Sequence, residues 1–236
     1  MNRLYLIPTP LGDNDPHEVL PSAVFELIRG IGIYVVEEVR TARRFLSKAG
    51  LKGMIDALEF HELNEHTAPE DVEKLAALFE RGDVGLMTEA GLPAVADPGS
   101  RLVALCHRRG IEVVPLSGPS SLMMALMSSG LEGQRFSFLG YLPAKTDERR
   151  TAIRSAVKRS AEGNETVIFI ETPYRNDPML GDLARICPPG TMICCAADLT
   201  LPGAFIGTHC AGEWKKLMDN GFHIGKRPCV FLILAK

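Results

Sequence analysis

Through the first half of the chain, short apolar runs alternate with stretches whose apolar positions recur at helical spacing. Runs over 4–8 (LYLIP), 33–36 (IYVV), 84–88 (VGLMT) and 113–116 (VVPL) are apolar at nearly every position, as in strands covered on both faces of a parallel sheet. Between them, 22–29, 41–49, 69–81 and 100–109 carry the helical period. TAPE at 67–70 has the form of a capping box, and Gly82 ends the helix it opens. This pattern predicts an α/β domain over 1–116.

Beyond 116 the grain changes. A Met-rich helix over 119–129 precedes apolar runs over 135–142, 166–171, 192–200, 204–208 and 229–235, with helical stretches over 147–161 and 180–186. The runs 192–200 and 204–208 have no helix between them, which predicts antiparallel pairing in a mixed sheet over 117–236. The expected fold class is α/β: two α/β domains, the N-terminal one built mainly on a parallel sheet and the C-terminal one on a mixed sheet, with a ligand cleft between them.

Composition narrows the chemistry. A net charge of −3 in 236 residues excludes a wholesale polyanion binder, so any nucleic-acid role needs a local basic face. The six cysteines form no C-x-x-C pair, which predicts reduced, mostly buried thiols in a cytoplasmic protein without a zinc site. No signal segment opens the chain and no apolar run approaches ~18 residues, so a soluble protein with no membrane partner is expected. Neither a G-x-x-x-x-G-K-[ST] loop nor a G-x-G-x-x-G after the first strand is present, against a P-loop or dinucleotide enzyme. His61 and His66 in HELNEH are five apart, a spacing that does not set both imidazoles on one helix face, so no metal is expected.

Three loops that follow predicted strands share a signature: PTPLG over 8–12, TEAGLPAVADPG over 88–99 and SGPSS over 117–121. Glycine lets backbone approach a ligand, proline stiffens the loop, and ligands of open parallel sheets bind beyond the carboxyl ends of the strands. Such loops offer backbone N–H and C=O groups rather than charge, which suits a cationic, adenosine-like ligand better than a triphosphate.

Together with EEVRT over 37–41, HELNE over 61–65 and ETPYR over 171–175, these loops resemble the tetrapyrrole (corrin/porphyrin) methylase superfamily over nearly the whole chain. The most similar branch is the bacterial small-subunit rRNA cytidine 2′-O-ribose methyltransferases. The resemblance implies an S-adenosyl-L-methionine-dependent methyltransferase, usually a homodimer, with the cofactor in the interdomain cleft. By position it implies cofactor contacts from Thr88, Glu89, Ala90, Gly91, Pro93, Ser117, Gly118, Ser120, Ile170, Glu171 and Ala197. The loop over 8–12 would lie nearer the acceptor.

Departures from the branch are specific. Its E-D-T-R reads Glu37-Glu38-Val39-Arg40, its S-D-A-G-T-P reads TEAGLP, and its R-E-L-T-K reads ADLTL at 197–201; the branch's C-terminal extension is not expected here. Cofactor use survives these changes, whereas the acceptor, rRNA or a tetrapyrrole, does not follow from them, and a cofactor-binding module without catalysis fits them too. An alcohol acceptor needs a proton acceptor. Glu38, matching the family's acid, is the first candidate, with Arg40 and Arg43 to hold a phosphate or propionate; a surface ion pair is the alternative. His61, Glu62 and Asn64 form a second polar cluster, catalytic or structural. Arg40, Arg44 and Lys48, like Arg150, Arg154 and Lys158, are spaced four apart and form stripes that are either solvated or grip the phosphates of a ribosomal subunit. With 6% aromatic residues there is no platform for stacked bases.

Overall fold

The computed structural model describes residues 2–236 and divides into two compact units, the first ending at Ser120 and the second running Ser121–Lys236. The first contains β1 (Arg3–Ile7), α1 (Pro16–Val19), α2 (Ser22–Ile28), β2 (Ile33–Val36), α3 (Val39–Leu46), β3 (Glu59–Glu62), α4 (Pro69–Lys74), β4 (Val84–Met87), α5 (Ser100–Arg109) and β5 (Glu112–Pro115). Its sheet runs β3-β2-β4-β1-β5 with every pair parallel. β2 and β4 are buried at every position, as continuous apolar runs between two helical layers should be. Side chains alternate between faces: Leu4 packs with Val35, Leu86 and Leu102, whereas Tyr5 and Ile7 pack with Phe25, Tyr34 and Leu46. Because the strands are parallel, their carboxyl ends and the loops that follow share one edge of the sheet.

The second unit contains α6 (Ser121–Ser129), β6 (Phe136–Tyr141), α7 (Thr146–Gly163), β7 (Thr166–Glu171), α8 (Asn176–Ile186), β8 (Met192–Ala197), β9 (Phe205–Cys210), α9 (Ala211–Asp219) and β10 (Cys229–Leu234). The order is β6-β7-β10-β8-β9, parallel between β6 and β7 and antiparallel elsewhere, which bears out the expected mixed sheet and the β8–β9 pairing. Phe169 stacks on Phe231 with centroids 5.7 Å apart, and the buried Trp214 donates Nε1–H to the Ile193 carbonyl at 2.8 Å. All six cysteines are free; five are buried and Cys210 is half-buried. Among the described residues no helix is long and apolar enough to cross a membrane.

Several local expectations need correction. The capping box at 67–70 does not form: α4 is capped by Ala68 with no side-chain bond, and the Thr67 hydroxyl instead accepts from the Asn64 N–H at 3.0 Å. The guanidinium of Arg101 holds the Asn64 and Thr67 carbonyls at 2.6 and 2.7 Å, which fixes this turn in its own geometry. Helix 41–49 is α3 followed by a π-turn, Ser47–Leu51, and helix 69–81 is α4 followed by a 3-10 stretch, Leu75–Glu80. The strand expected over 192–200 stops at Ala197, since Asp198 (φ 50°) and Thr200 (φ 72°) turn left-handed. β3 and α9 lack a clear period in the sequence: the first is an edge strand reading EFHE, the second is anchored largely by Trp214.

Candidate active site

The three glycine- and proline-bearing loops meet at the carboxyl edge of the parallel sheet. Thr9 N–H donates to the Gly91 carbonyl at 2.9 Å, and Gly91 N–H returns a bond to the Thr9 carbonyl at 3.2 Å. Gly91 holds φ 81°, a left-handed conformation that favours glycine. The Thr9 hydroxyl donates to the Thr88 carbonyl at 3.3 Å, so the first loop ties directly to the start of the second. The third loop closes on the first so tightly that a Cβ on Gly118 would lie 2.1 Å from Pro8 Cβ. Thr88, Gly91, Ser117 and Gly118 therefore belong to one assembly, with Glu89, Ala90, Pro93 and Ser120 on the same loops.

Two adjacent acids behave in opposite ways. Glu38 is the N-cap of α3: Oε1 accepts from Arg40 N–H, Oε2 from Thr41 N–H and Thr41 Oγ1, each at 2.8 Å. The Arg40 backbone bond first, then the two from Thr41, hold its pKa below the ordinary carboxylate value. Glu37, one residue earlier at the end of β2, turns towards β4 and accepts from Thr88 Oγ1 at 2.9 Å. Burial first, and then the hydrogen-bonded carboxyl of Asp97, push its pKa up to about 8. Asp97 Oδ1 accepts from Gly99 and Ala94 N–H at 2.6 and 3.0 Å, while Oδ2 is buried and meets no N–H or hydroxyl donor. Glu89, on the same loop, is also raised, chiefly by desolvation.

Beside these acids lies a cavity of about 300 Å³, walled by residues 9–14 after β1, by Thr41, Arg44, Phe45 and Lys48 on one face of α3 and its π-turn, and by Thr88 and Glu89. The other residues expected in a catalytic cluster are elsewhere. Arg40 is exposed, and Arg43 pairs with Asp56 and lies over the Phe60 ring. His61 Nε2 is bound to Glu59 Oε1 at 2.7 Å, and Asn64 Oδ1 accepts from His66 N–H at 3.0 Å within the turn held by Arg101. Neither His61 nor Asn64 lines the cavity. Sequence reasoning underrated Glu37 and Asp13, and the available signal was position: each directly follows a strand end or its loop at the ligand-bearing edge.

In the second unit, Glu171 and Ala197 end β7 and β8 and both pair with Cys229 of β10, so the three share one row of the sheet; Ile170 is one residue earlier on β7. The Glu171 side chain is fully buried, with Oε1 held by Thr172 N–H at 2.6 Å and Arg175 Nη2 at 2.5 Å. Its Oε2 has no donor, an orphaned acceptor of the kind a ligand N–H or hydroxyl satisfies.

A model of the family described as Tetrapyrrole (Corrin/Porphyrin) Methylases matches residues 3–208. The chain belongs to the tetrapyrrole methylase family. It is 32% identical over 223 residues to "Ribosomal RNA small subunit methyltransferase I" of Escherichia coli O157:H7, covering 92% of this chain and 73% of that protein. It is 34% identical over 183 residues to the protein of the same name from Micromonospora olivasterospora, covering 78% of this chain and 55% of that one. Among solved structures, the methyltransferase CobJ aligns with a TM-score of 0.64 at 15% identity, covering 100% and 95% of the two chains. A uroporphyrin-III C-methyl transferase from Thermus thermophilus, complexed with S-adenyl homocysteine, aligns with a TM-score of 0.58 at 17% identity, covering 99% and 97%. These two carry the fold. The chain is an S-adenosyl-L-methionine-dependent methyltransferase of the tetrapyrrole methylase family. The loop over 88–99 fits that cofactor's charge: it carries no lysine or arginine and offers carbonyls and acids, acceptors suited to a cationic ligand.

Proposed function

We propose that this methyltransferase acts on a ribose 2′-hydroxyl of small-subunit ribosomal RNA, with the cavity beside α3 as the acceptor site. The observation that carries the reading is that cavity: about 300 Å³, with Arg44 and Lys48 on one wall and Thr88, bonded to Glu37, on another. Ligand cavities span roughly 300–1,000 Å³, so this one suits a single nucleotide better than a whole macrocycle. The names of the relatives support small-subunit ribosomal RNA as the acceptor molecule.

When bound, S-adenosyl-L-methionine supplies a methyl group carried on a positively charged sulfur. The expected cofactor contacts, from Thr88 through Ser120 and at Ile170, Glu171 and Ala197, belong to this proposal. So does the catalytic set, with one change. Glu38 is engaged in capping, so Glu37 in its ionised form takes the acceptor's proton, directly or through the Thr88 hydroxyl, and Asp97 holds it in place.

Purified protein should bind S-adenosyl-L-methionine at micromolar concentration by calorimetry and transfer a labelled methyl group to small ribosomal subunits from cells lacking this gene. Transfer to a tetrapyrrole and not to the subunits would replace the acceptor; cofactor binding with transfer to neither would make the chain a non-catalytic module. We also infer a cytoplasmic homodimer. In the second unit α6 leaves Met127 83% exposed and β9 leaves Ile206 43% exposed, apolar surface of the kind a partner covers. Light scattering should give a dimer mass for the wild type and a monomer mass for Met127→Glu; an unchanged dimer would move the contact elsewhere.

A further inference from the structure

At the mouth of the acceptor cavity, one carboxylate holds two cations. Asp13 Oδ1 accepts from Lys48 Nζ at 2.6 Å and from Arg44 Nη2 at 3.1 Å, and Oδ2 lies 3.2 Å from the same Arg44 nitrogen. Lys48 and Arg44 come from successive turns at the end of α3, four residues apart on one face, and both line the cavity together with Asp13. The Asp13 side chain is 72% exposed, and those of Arg44 and Lys48 are 66% and 40% exposed.

Exposed ion pairs of this kind add little to stability and weaken with salt. Breaking them to admit another anion is therefore easy. A guanidinium and an ammonium set on one face at the rim of a cavity match a phosphodiester, whose oxygens offer more acceptor directions than a carboxylate. Thr9 and Thr88 line the same cavity, so a nucleotide whose phosphate met the exposed Arg44 and Lys48 would bring its sugar among them.

We propose that Asp13 is an exchangeable counter-ion, holding Arg44 and Lys48 in place until a phosphodiester of the acceptor strand displaces it. The identification of the strand as ribosomal RNA rests on the function proposed above; the exchange itself requires only an RNA phosphate. Asp13 thereby lowers affinity for any single-stranded polyanion, so that weakly held strands leave the site.

The test is binding of a fluorescein-labelled 12-nucleotide single-stranded RNA, followed by anisotropy across a salt series. Asp13→Asn should bind about fivefold tighter at low salt, with the gain shrinking as salt rises. Arg44→Gln and Lys48→Gln should each weaken binding about five- to tenfold, and each should reduce the slope of log K against log salt by about 0.7. In the Arg44→Gln/Lys48→Gln background, Asp13→Asn should have no effect. Glu26→Gln, an equal change of charge at an exposed position of α2, controls for net charge, and thermal melts confirm that each variant is folded. Unchanged or weaker binding by Asp13→Asn, a gain matched by Glu26→Gln, or a gain that persists in the double variant would overturn the proposal. If the Asp13 effect is found while wild-type protein leaves ribosomal subunits unmethylated, the phosphate site stands and the acceptor assignment falls. If subunits are methylated and the Asp13 effect is absent, the reverse holds.

Discussion

Glu37→Gln is expected to lower kcat for methyl transfer by about 10²–10³-fold, the range of a lost general base, while changing S-adenosyl-L-methionine affinity by less than about threefold. The carboxyl of Glu37 is the one whose environment favours a proton near neutrality, since burial and Asp97 both act against its ionised form. Wild-type rate should therefore rise with pH towards a plateau above about 8, the apparent pKa of the Glu37–Asp97 pair. Asp97→Asn removes a like charge and should shift that rise to lower pH. Stability runs the other way. A carboxyl with a raised folded-state pKa stabilises the fold fully below the unfolded-state value near 4.5, and the contribution is lost as pH climbs to about 8. Glutamine mimics the protonated form at all pH values, so Glu37→Gln should melt close to wild type at pH 5 and above it at pH 8.5. Glu38→Gln provides the contrast: it weakens the α3 cap and leaves the pH–rate profile in place. A Glu37→Gln enzyme with wild-type kcat, or a pH–rate profile rising below pH 6, would remove Glu37 as the proton acceptor.

The legible part of this molecule follows from burial. β2 and β4 are covered on both faces, so their residues had to be apolar in an unbroken run, and both strands were predicted to within a residue. The mixed sheet was legible because 192–200 and 204–208 leave no room for a helix between them. β3 was missed for the converse reason: as an edge strand reading EFHE, it takes its regularity from pairing with β2 and not from its own pattern.

At the site, composition marked the loops but could not reveal which acid has the displaced pKa. Glu37 and Glu38 are the same residue type on consecutive positions. One turns outward to satisfy the first N–H groups of α3, and the other turns to Thr88 and Asp97, which lie far along the chain. That difference arises only from tertiary contacts. Asp97 is held in reach by a loop in which Ala94 (φ 66°) and Ala96 (φ 55°) both adopt the left-handed conformation, which no residue type announced. The basic stripe is a similar case: Arg44 and Lys48 reach the cavity, whereas Arg43, between Arg40 and Arg44 in sequence, faces Asp56 and Phe60.

Gly118→Ala should cut both cofactor affinity and methyl transfer sharply, by about tenfold and a hundredfold, because it separates loops that work only together. The added Cβ would lie 2.1 Å from Pro8 Cβ and 2.5 Å from Pro8 Cγ, far inside any tolerated contact. A flexible side chain could swing away, but a pyrrolidine ring cannot, so the backbone after β1 or β5 has to move. Pro8 precedes Thr9, whose two bonds to Gly91 join the first loop to the second. A shift at Gly118 thus passes through Pro8 to Thr9, Gly91 and Thr88, and Thr88 holds Glu37. Overpacking of this kind destabilises by roughly 1–3 kcal/mol, and displacement of a reacting group by about 1 Å lowers rates about 10²-fold. Gly82→Ala, where a Cβ meets nothing within 4 Å, is the control and should behave as wild type. Replacing Pro8 by glycine in the Gly118→Ala background deletes the opposing carbons and should restore part of the cofactor affinity, whereas equal calorimetric affinities for wild type and Gly118→Ala would show that the three loops do not act as one unit.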